Sequence, residues 1–256
     1  MSHIINSLFT SFSLYSRIPV PQTEWKEENR RYVLSFFPLV GAVTGALEYL
    51  LFRSFPLASH GLLYAVLCTV IPVVITGGIH LDGFCDVNDA LASYAPPEKA
   101  LEIMHDPHIG SFAIIRLCLY LLMQCAFFHS LTLCTDPAKA CLVVCVGYVL
   151  SRALSAVCVF TFRCVSKGML ETVNNRRKTN LAVSVIWAVL SSALMIYISP
   201  ACGGAAVLCS LGVVAYYRLM SYKRFGGING DLAGWFLQMC EIFILGAAAV
   251  MGYFYG

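Results

Sequence analysis

The sequence predicts an all-α protein that crosses a membrane as a bundle of about seven helices. Of its 256 residues, 59% are hydrophobic and only 12% are charged, whereas a soluble domain carries about 25% charged residues. The mean hydropathy is +0.75. Apolar runs recur that are long enough to cross a bilayer core of about 30 Å, which takes about 20 helical residues. No segment alternates in the way that strands of a membrane β-barrel do.

Seven apolar runs are the predicted transmembrane helices, because backbone groups in lipid must hydrogen-bond within their own segment. They lie at 32–52, 61–79, 111–133, 137–160, 181–198, 201–220 and 232–255. The segment from Ile4 to Tyr15 is apolar but too short to cross, so we expect an interfacial or re-entrant helix there. Residues 1–256 are predicted to form a single membrane domain.

The positions of the basic residues predict the orientation of the bundle. Connections on one side contain twelve Lys and Arg residues: Arg17, Lys26, Arg30, Arg31, Lys99, Arg163, Lys167, Arg176, Arg177, Lys178, Lys223 and Arg224. The opposite side has only Arg53 and Lys139. Cytoplasmic loops of membrane proteins carry the excess of Lys and Arg. The first side is therefore expected to face the cytoplasm, together with most of the acidic residues.

The connection that follows the second span carries a cluster of carboxylates. Asp82, Asp86 and Asp89 stand at i, i+4 and i+7, so a helix would place them on one face. Like charges that close repel by about 4 kcal/mol per pair at an effective dielectric of roughly 20. A hard divalent cation with oxygen ligands would offset this repulsion. The pattern predicts a Mg²⁺ site, with Mn²⁺ possible; a solvated acidic loop is the alternative.

The remainder of this connection, within 76–110, predicts a second helix. Two prolines at 96–97 break the chain, and residues 98–105 have helical spacing. Asp106 precedes a proline and should end the helix. We expect a helical hairpin that carries carboxylates across the mouth of the bundle. His105 and His108 suit proton transfer and helix capping equally well.

A second glycine-rich motif lies in the segment 225–241 and ends at Asp231. Glycines let the backbone approach a ligand closely, and a helix amino terminus favours anions. Lys223 and Arg224 precede the motif and add the positive charge that a diphosphate would need. A plain turn is the alternative for the glycines alone. Together with the first cluster, Asp231 favours phosphate or metal binding.

Several ionisable residues lie inside apolar runs, among them Glu48, Arg152 and Glu241. Arg152 is expected to face a cavity, and the role of Glu48 is open. Glu241 marks a functional site or pairs with a buried Arg, since intramembrane carboxylates do one or the other.

The motifs resemble those of one family, the cobalamin synthases, also called adenosylcobinamide-GDP ribazoletransferases. The specific motif is Gly-Gly-Ile-His-Leu-Asp-Gly at 77–83, followed by Asp86 and Asp89. Supporting matches are Ala-Leu-Glu-Ile-Met-His-Asp at 100–106 and Gly-Gly-Ile-Asn-Gly-Asp at 226–231. The family usually has Lys-Asp-Ser at the end of the second segment, where this chain has His-Asp-Pro. The matches span nearly the whole chain.

The resemblance implies the final step of cobalamin (vitamin B12) nucleotide-loop assembly. Adenosylcobinamide-GDP is joined to α-ribazole or its 5′-phosphate, GMP leaves, and adenosylcobalamin or its 5′-phosphate forms. It also implies a multi-pass protein of a bacterial cytoplasmic (inner) membrane, with the active site facing the cytoplasm.

The resemblance also implies roles for individual residues. The expected metal ligands are Asp82, Asp86, Asp89, Asp106 and Asp231. Asp82 and Asp86 are expected to act in catalysis through the metal, and Asp89 is the candidate base, by analogy with CDP-alcohol phosphotransferases. The expected substrate-binding residues are His80, Arg152, Lys223, Arg224, Gly227 and Asn229. Of these, His80, Lys223 and Arg224 are candidates for the guanosine diphosphate end of the substrate.

Two other classes of function are open from the sequence. One is another Mg²⁺-dependent membrane transferase with a diphosphate substrate, such as a UbiA-like prenyltransferase or a CDP-alcohol phosphotransferase. The other is a cation-coupled transporter that uses Glu48, Glu241 and Arg152. Transporters tend to show inverted repeats, which this sequence lacks, and its acids gather at one surface.

The expected partners are the two substrates and the lipid bilayer, with no nucleic acid. A homo-oligomer is possible, because small residues allow close helix contacts within one subunit or between two. These residues are Gly41, Gly45, Gly203, Gly204 and Gly212.

Overall fold

The computed structural model describes residues 3–54, 56–165 and 177–255, without the side chains of 57–59. These ranges contain helices and no strand. The helices are α1 (His3–Tyr15), α2 (Glu27–Arg30), α3 (Val33–Ser54), α4 (Leu57–Thr76), α5 (Ile79–Ala92), α6 (Pro97–Met104), α7 (Ser111–Leu131), α8 (Pro137–Thr161), α9 (Arg177–Ile198), α10 (Pro200–Phe225) and α11 (Gly230–Tyr255). Lys167 and Arg176, two of the predicted cytoplasmic cations, lie outside the described residues.

Six of these helices are long and apolar enough to cross a membrane: α3, α7, α8, α9, α10 and α11. Helices α4 and α5 pass the same test only as a pair, and they meet at an angle of 95°. The described residues therefore supply six spans, or seven if the bent pair counts as one. The predicted class, an all-α polytopic membrane protein, is confirmed.

The centre of the bundle is formed by α8 and α11, which are the most buried of the six spans. Helices α3 and α9 pack against α8, while α7 and α10 pack against α11. The contact between α3 and α8 depends on Gly41. A Cβ at this position would lie 2.6 Å from Cδ of Arg152 and even closer to the carbonyl oxygen of Tyr148. This small residue therefore serves a contact within the subunit.

A sharp elbow joins α4 to α5. Gly77 and Gly78 have φ angles of 66° and 80°, which residues with a Cβ adopt at a cost. The backbone N–H of Arg17 donates to the carbonyl oxygen of Ile75 at 2.7 Å and fastens the amino-terminal arm to the elbow. Beyond the bend, the 14 residues of α5 reach only about 21 Å, at 1.5 Å per residue. Helix α5 is thus too short to cross a membrane alone.

The predicted hairpin and the predicted amino-terminal helix are both present. Helix α6 packs against α5 as the second arm of the hairpin, and α1 packs against α3 and α2. The elbow, α5 and α6 together form one end of the bundle, where the first turn of α11 also lies. This arrangement brings the two predicted motifs to the same place.

Candidate functional site

The three aspartates of α5 lie on one side of the helix, as their spacing predicts. Asp82 is exposed, while Asp86 and Asp89 are half-buried. The opposite face of α5 is apolar and buried, with Phe84 and Val87 in the core. Burial of this apolar face fixes the orientation of α5, and the carboxylates lie on the side away from the core.

Asp231 joins this group because α5 packs very closely on the start of α11. A Cβ on Gly83 would lie 2.7 Å from the carbonyl oxygen and 2.8 Å from the Cα of Asp231. Only glycine permits this approach. Asn229 caps the helix, since its Oδ1 accepts a hydrogen bond from the N–H of Leu232 at 2.9 Å. Its Nδ2 donates to Oδ2 of Asp231 at 3.4 Å and orients that carboxylate.

The aspartate cluster, defined as Asp82, Asp86, Asp89 and Asp231, carries uncompensated negative charge. Partial burial, and then the charges of Asp82, Asp231 and Asp89, raise the pKa of Asp86 to about 6. Across the described residues, no Lys, Arg or His forms an ion pair with any member of the cluster. The neighbouring His105 acts in the opposite direction on the pKa of Asp86 and offsets the rise only in part.

The donor set suits a hard divalent cation, because carboxylate oxygens are the ligands that Mg²⁺ prefers. As they stand, no three carboxylate, imidazole or thiol groups of the described residues are close enough to hold an ion together. The four carboxylates are nevertheless close enough to influence one another, since Asp82, Asp231 and Asp89 all raise the pKa of Asp86.

Asp89 already has two hydrogen-bond donors. One carboxylate oxygen accepts from the N–H of Gly110 at 2.6 Å, and the other accepts from the N–H of Ala113 at 2.8 Å. Both donors belong to the start of α7. Asp89 thus fastens α7 to α5, and its assignments as base and metal ligand stay predictions.

Two cavities meet at the cluster. The polar cleft, about 1000 Å³ in volume, is lined by Arg17, the glycines of the elbow, Asp82, Asp86 and Asp106. The small chamber, about 290 Å³, extends under α5 to Asp231. Asp82 and His105 line both cavities. A reaction between a large charged molecule and a smaller one would have its natural meeting point there.

The small chamber is aromatic. His80 lies beside the rings of Tyr15 and Phe37, at centroid distances of 6.4 Å and 5.8 Å. Burial, and then the charge of Arg152, lower the pKa of His80 to about 3, so its ring is neutral. Its Nε2 is buried and has no hydrogen-bond partner. The predicted substrate-binding role of His80 is consistent with this unpaired nitrogen.

Arg17 is a site residue that sequence reasoning missed. It lines the polar cleft with Asp82 and Asp86, and its side chain packs over the elbow, 2.6 Å from where a Cβ on Gly77 would lie. Its position among the prolines after α1 was the available signal, but the charge pattern by itself explains Arg17 through topology.

The segment after α6 places its two histidines differently. His105 lines both cavities, whereas His108 is exposed and its Nδ1 lies 2.8 Å from Oδ1 of Asp106. Hydrogen bonds from the backbone and the ring of His108 lower the pKa of Asp106. Asp106 is exposed at the rim of the polar cleft, so a role as metal ligand stays a prediction.

The second glycine motif is less open than its sequence suggests. Gly227 donates its N–H to the carbonyl oxygen of Ser221 at 3.3 Å, and Ile228 donates to that of Arg163 at 2.8 Å. These amides are therefore not free to bind a phosphate. Lys223 and Arg224 line neither the polar cleft nor the small chamber. Their predicted contacts with the diphosphate stay predictions.

Arg152 lies deep in the bundle and lines neither cavity. It is 1% exposed and forms an ion pair with Glu241. The same guanidinium donates to the carbonyl oxygen of Tyr148 at 3.1 Å and to Oγ of Ser151 at 3.0 Å. The possibility that Glu241 pairs with a buried Arg is thus realised, and the geometry gives no support to a substrate contact by Arg152.

Comparison with known proteins identifies the family. The chain matches the cobalamin-5-phosphate synthase family over residues 7–249, which is nearly its whole length. The chain belongs to this family.

Relatives in the cobalamin-5-phosphate synthase family are similar along their whole length. A protein of Lachnoclostridium phytofermentans named adenosylcobinamide-GDP ribazoletransferase is 41% identical over 252 residues, which cover 96% of this chain and 94% of the relative. Proteins of the same name from two other organisms are each 31% identical to this chain. The match to the Geobacillus kaustophilus protein covers 98% of this chain and 100% of the relative. The match to the Desulfitobacterium hafniense protein covers 95% of this chain and 96% of the relative. No solved structure matches the chain. Neither a prenyltransferase nor a transporter is favoured by these matches.

Proposed function

We propose that the protein joins adenosylcobinamide-GDP to α-ribazole or α-ribazole 5′-phosphate and releases GMP. The observation that carries the proposal is the meeting of the polar cleft and the small chamber at Asp82 and His105. Family membership supplies the identity of the two substrates, because the relatives are named for this reaction.

The polar cleft suits the larger substrate. Adenosylcobinamide-GDP carries a diphosphate between the corrinoid arm and guanosine, and a cleft of about 1000 Å³ is in the range of sites for large ligands. Arg17 lines this cleft and can form paired hydrogen bonds with phosphate oxygens. We assign Arg17 to the diphosphate, with the corrinoid extending toward the open side.

The small chamber suits the ribazole. Its aromatic walls at Tyr15, Phe37 and His80 match the flat, apolar benzimidazole base. The unpaired Nε2 of His80 is available to a polar atom of the base or ribose. The ribose hydroxyl would then point toward the junction at Asp82.

The aspartate cluster would hold the divalent cation. Asp82, Asp86 and Asp231 are the proposed ligands of Mg²⁺, since they face the junction and lack other cationic partners. When bound, the ion would supply positive charge to the diphosphate and to the departing GMP. Asn229 orients Asp231 for this role through the hydrogen bond at 3.4 Å.

The reaction is a substitution at phosphorus. A ribose hydroxyl oxygen forms a bond to the phosphorus that bears the corrinoid arm, and the bond from that phosphorus to the GMP oxygen breaks. The hydroxyl proton must pass to a base. His105 lines both cavities, whereas both oxygens of Asp89 already accept backbone hydrogen bonds. We therefore propose His105 as the proton acceptor in place of Asp89.

The proposed site faces the cytoplasm of a bacterial cell, on the side that carries the excess of Lys and Arg. Both proposed substrates are charged or polar, so a site at the cytoplasmic end of the bundle is accessible to them.

Turnover by purified protein in liposomes tests the proposal. The assay supplies adenosylcobinamide-GDP, Mg²⁺ and either α-ribazole or its 5′-phosphate, and follows GMP and the corrinoid product. We expect GMP release that depends on one of the two ribazoles and stops with EDTA. Folded protein that forms no product with either acceptor would refute the proposed function.

A further inference from the structure

A long apolar groove runs along the outside of the bundle. It has a volume of about 1180 Å³, with α11 as its floor and α7 and α10 as its walls. Its rim carries large apolar side chains that are exposed, including Leu119 on α7, Leu219 on α10 and Phe243 on α11. The groove therefore opens sideways, toward the region where the acyl chains of a membrane would lie.

Helix α5 closes one end of the groove with the face opposite to the aspartates. Phe84, Asn88 and Leu91 line the groove, at i, i+4 and i+7 of α5. Successive residues of a helix are rotated by about 100° around its axis, so these three positions lie about 160° around α5 from the three aspartates. The groove is thus separate from the polar cleft and the small chamber.

The closed end of the groove is positively charged. Arg116, Lys223 and Arg224 line it, and no Asp or Glu does. None of these three cations has an ion-pair partner in the described part of the chain. Arg116 donates to Oδ1 of Asn88 at 2.9 Å, and the guanidinium of Arg224 lies 5.7 Å from the ring centre of Tyr94. These contacts of the two arginines are with neutral groups, so they do not balance the positive charge. Arg224 also has a donor without a partner, since its Nη2 forms no hydrogen bond.

We propose that this groove binds one anionic phospholipid. Its acyl chains lie along α11 between α7 and α10, and its phosphate contacts Arg116, Lys223 and Arg224. Phosphate oxygens supply the negative charge and the hydrogen-bond acceptors that the closed end lacks, and the apolar walls match the chains. A lipid in this position packs against the back of α5 and supports the helix that carries the aspartates.

A second copy of the chain fits this surface less well. A two-fold axis along the membrane normal would place the same patch of both copies face to face at the same depth. The three cations of one copy would then approach those of the other, with no carboxylate in the groove to balance them.

Native mass spectrometry of the detergent-solubilised protein tests the proposal. The protein is titrated with phosphatidylglycerol, and separately with phosphatidylcholine of the same acyl chains and with glycerol phosphate. We expect one phosphatidylglycerol per chain, bound in preference to phosphatidylcholine, and no binding of glycerol phosphate. The double variant Lys223→Gln/Arg224→Gln should bind phosphatidylglycerol about 25-fold more weakly, since each basic residue near a lipid surface contributes about a factor of five.

Arg218→Gln is the matched control. Arg218 lies on the same helix, is exposed, and donates to Oη of Tyr222 outside the groove, so its loss should leave lipid binding unchanged. The charge-conserving double variant Lys223→Arg/Arg224→Lys should also retain binding of phosphatidylglycerol. The proposal is overturned by equal binding of the two lipids, by full binding in the double variant, or by lipid-free dimers. Competition by GDP for the same site would also overturn it. These outcomes are read as bound lipid, and so they are distinct from the absence of GMP release that would refute the proposed function.

Discussion

Two groups of charged residues in this protein differ in how their charge is balanced. The buried network lies between α3, α8 and α11: Arg152 pairs with Glu241, and Glu48 accepts a hydrogen bond from Tyr148 at 2.7 Å. The aspartate cluster lies at the end of the bundle, where four carboxylates have no ion-pair partner among the described residues.

The comparison indicates what each group does. In the buried network every carboxylate has a donor inside the protein, as a low-dielectric interior requires. Such a network links the three helices that it joins. In the aspartate cluster no such ion pair is formed within the described residues, and a divalent cation is the partner that we propose. Charged residues of the same types thus stabilise the fold in one place and, in our proposal, bind a ligand in the other.

The largest effect on turnover should come from Asp82→Asn. The change removes a charge at the junction of the two cavities, so we expect a loss of at least about 100-fold, similar to removing a group that stabilises transition-state charge. Unfolding in detergent should be unchanged, because Asp82 is exposed. The GMP-release assay and a thermal unfolding curve measure the two quantities, and retained turnover would show that Asp82 is not a metal ligand.

The largest effect on stability should come from Arg152→Met. It leaves Glu241 as an unpaired charge in the bundle, and breaking a buried pair in this way costs about 3–5 kcal/mol. The double variant Arg152→Met/Glu241→Met should lose much less stability, because neither charge then remains unpaired. Thermal unfolding in one detergent compares the two. A double variant as unstable as the single one would mean that packing, rather than charge balance, is what Arg152 supplies.

Asp86 should give a pH-dependent effect of intermediate size. Its pKa in the folded protein is about 6, above about 3.9 for a free Asp, so without metal the stability falls as the pH rises from about 4 to 6. Asp86→Asn should therefore stabilise the EDTA-treated protein at pH 7.5, by about 1 kcal/mol after allowance for solvent screening, and not at pH 4.5. An equal effect at both pH values would contradict this account of the cluster.

The smallest effect should come from Asp106→Asn. Asp106 is exposed and already accepts a hydrogen bond from the N–H of His108 at 2.9 Å. We expect turnover to fall only a few-fold. A loss as large as that of Asp82→Asn would instead support the sequence-based prediction that Asp106 is a metal ligand.

Much of the fold could be predicted from the sequence, because long apolar runs in lipid have only the helix available. The predicted spans agree with the observed helices to within a few residues. The elbow was harder to predict, since the apolar run continues through Gly77 and Gly78 to Ile79. The pair of glycines was the signal for the bend, and its angle follows from packing of α5 on α11.

The site was predicted in part. The spacing of Asp82, Asp86 and Asp89 predicted their shared face, and Asp231 does lie beside them. The spacing of residues in the sequence could not show that Asp89 binds the start of α7. Nor could it show that Lys223 and Arg224 line a separate groove. Those facts depend on contacts between helices distant in sequence.

Binding of Mn²⁺ is the most direct test of the claim that the aspartate cluster holds a divalent cation. Electron paramagnetic resonance of the wild-type protein and of Asp82→Asn/Asp86→Asn, both in detergent at pH 7.5, would count bound Mn²⁺. We predict that the wild-type protein binds Mn²⁺, that Mg²⁺ displaces it, and that the double variant does not bind it. A double variant that binds Mn²⁺ as tightly as the wild type would contradict the account.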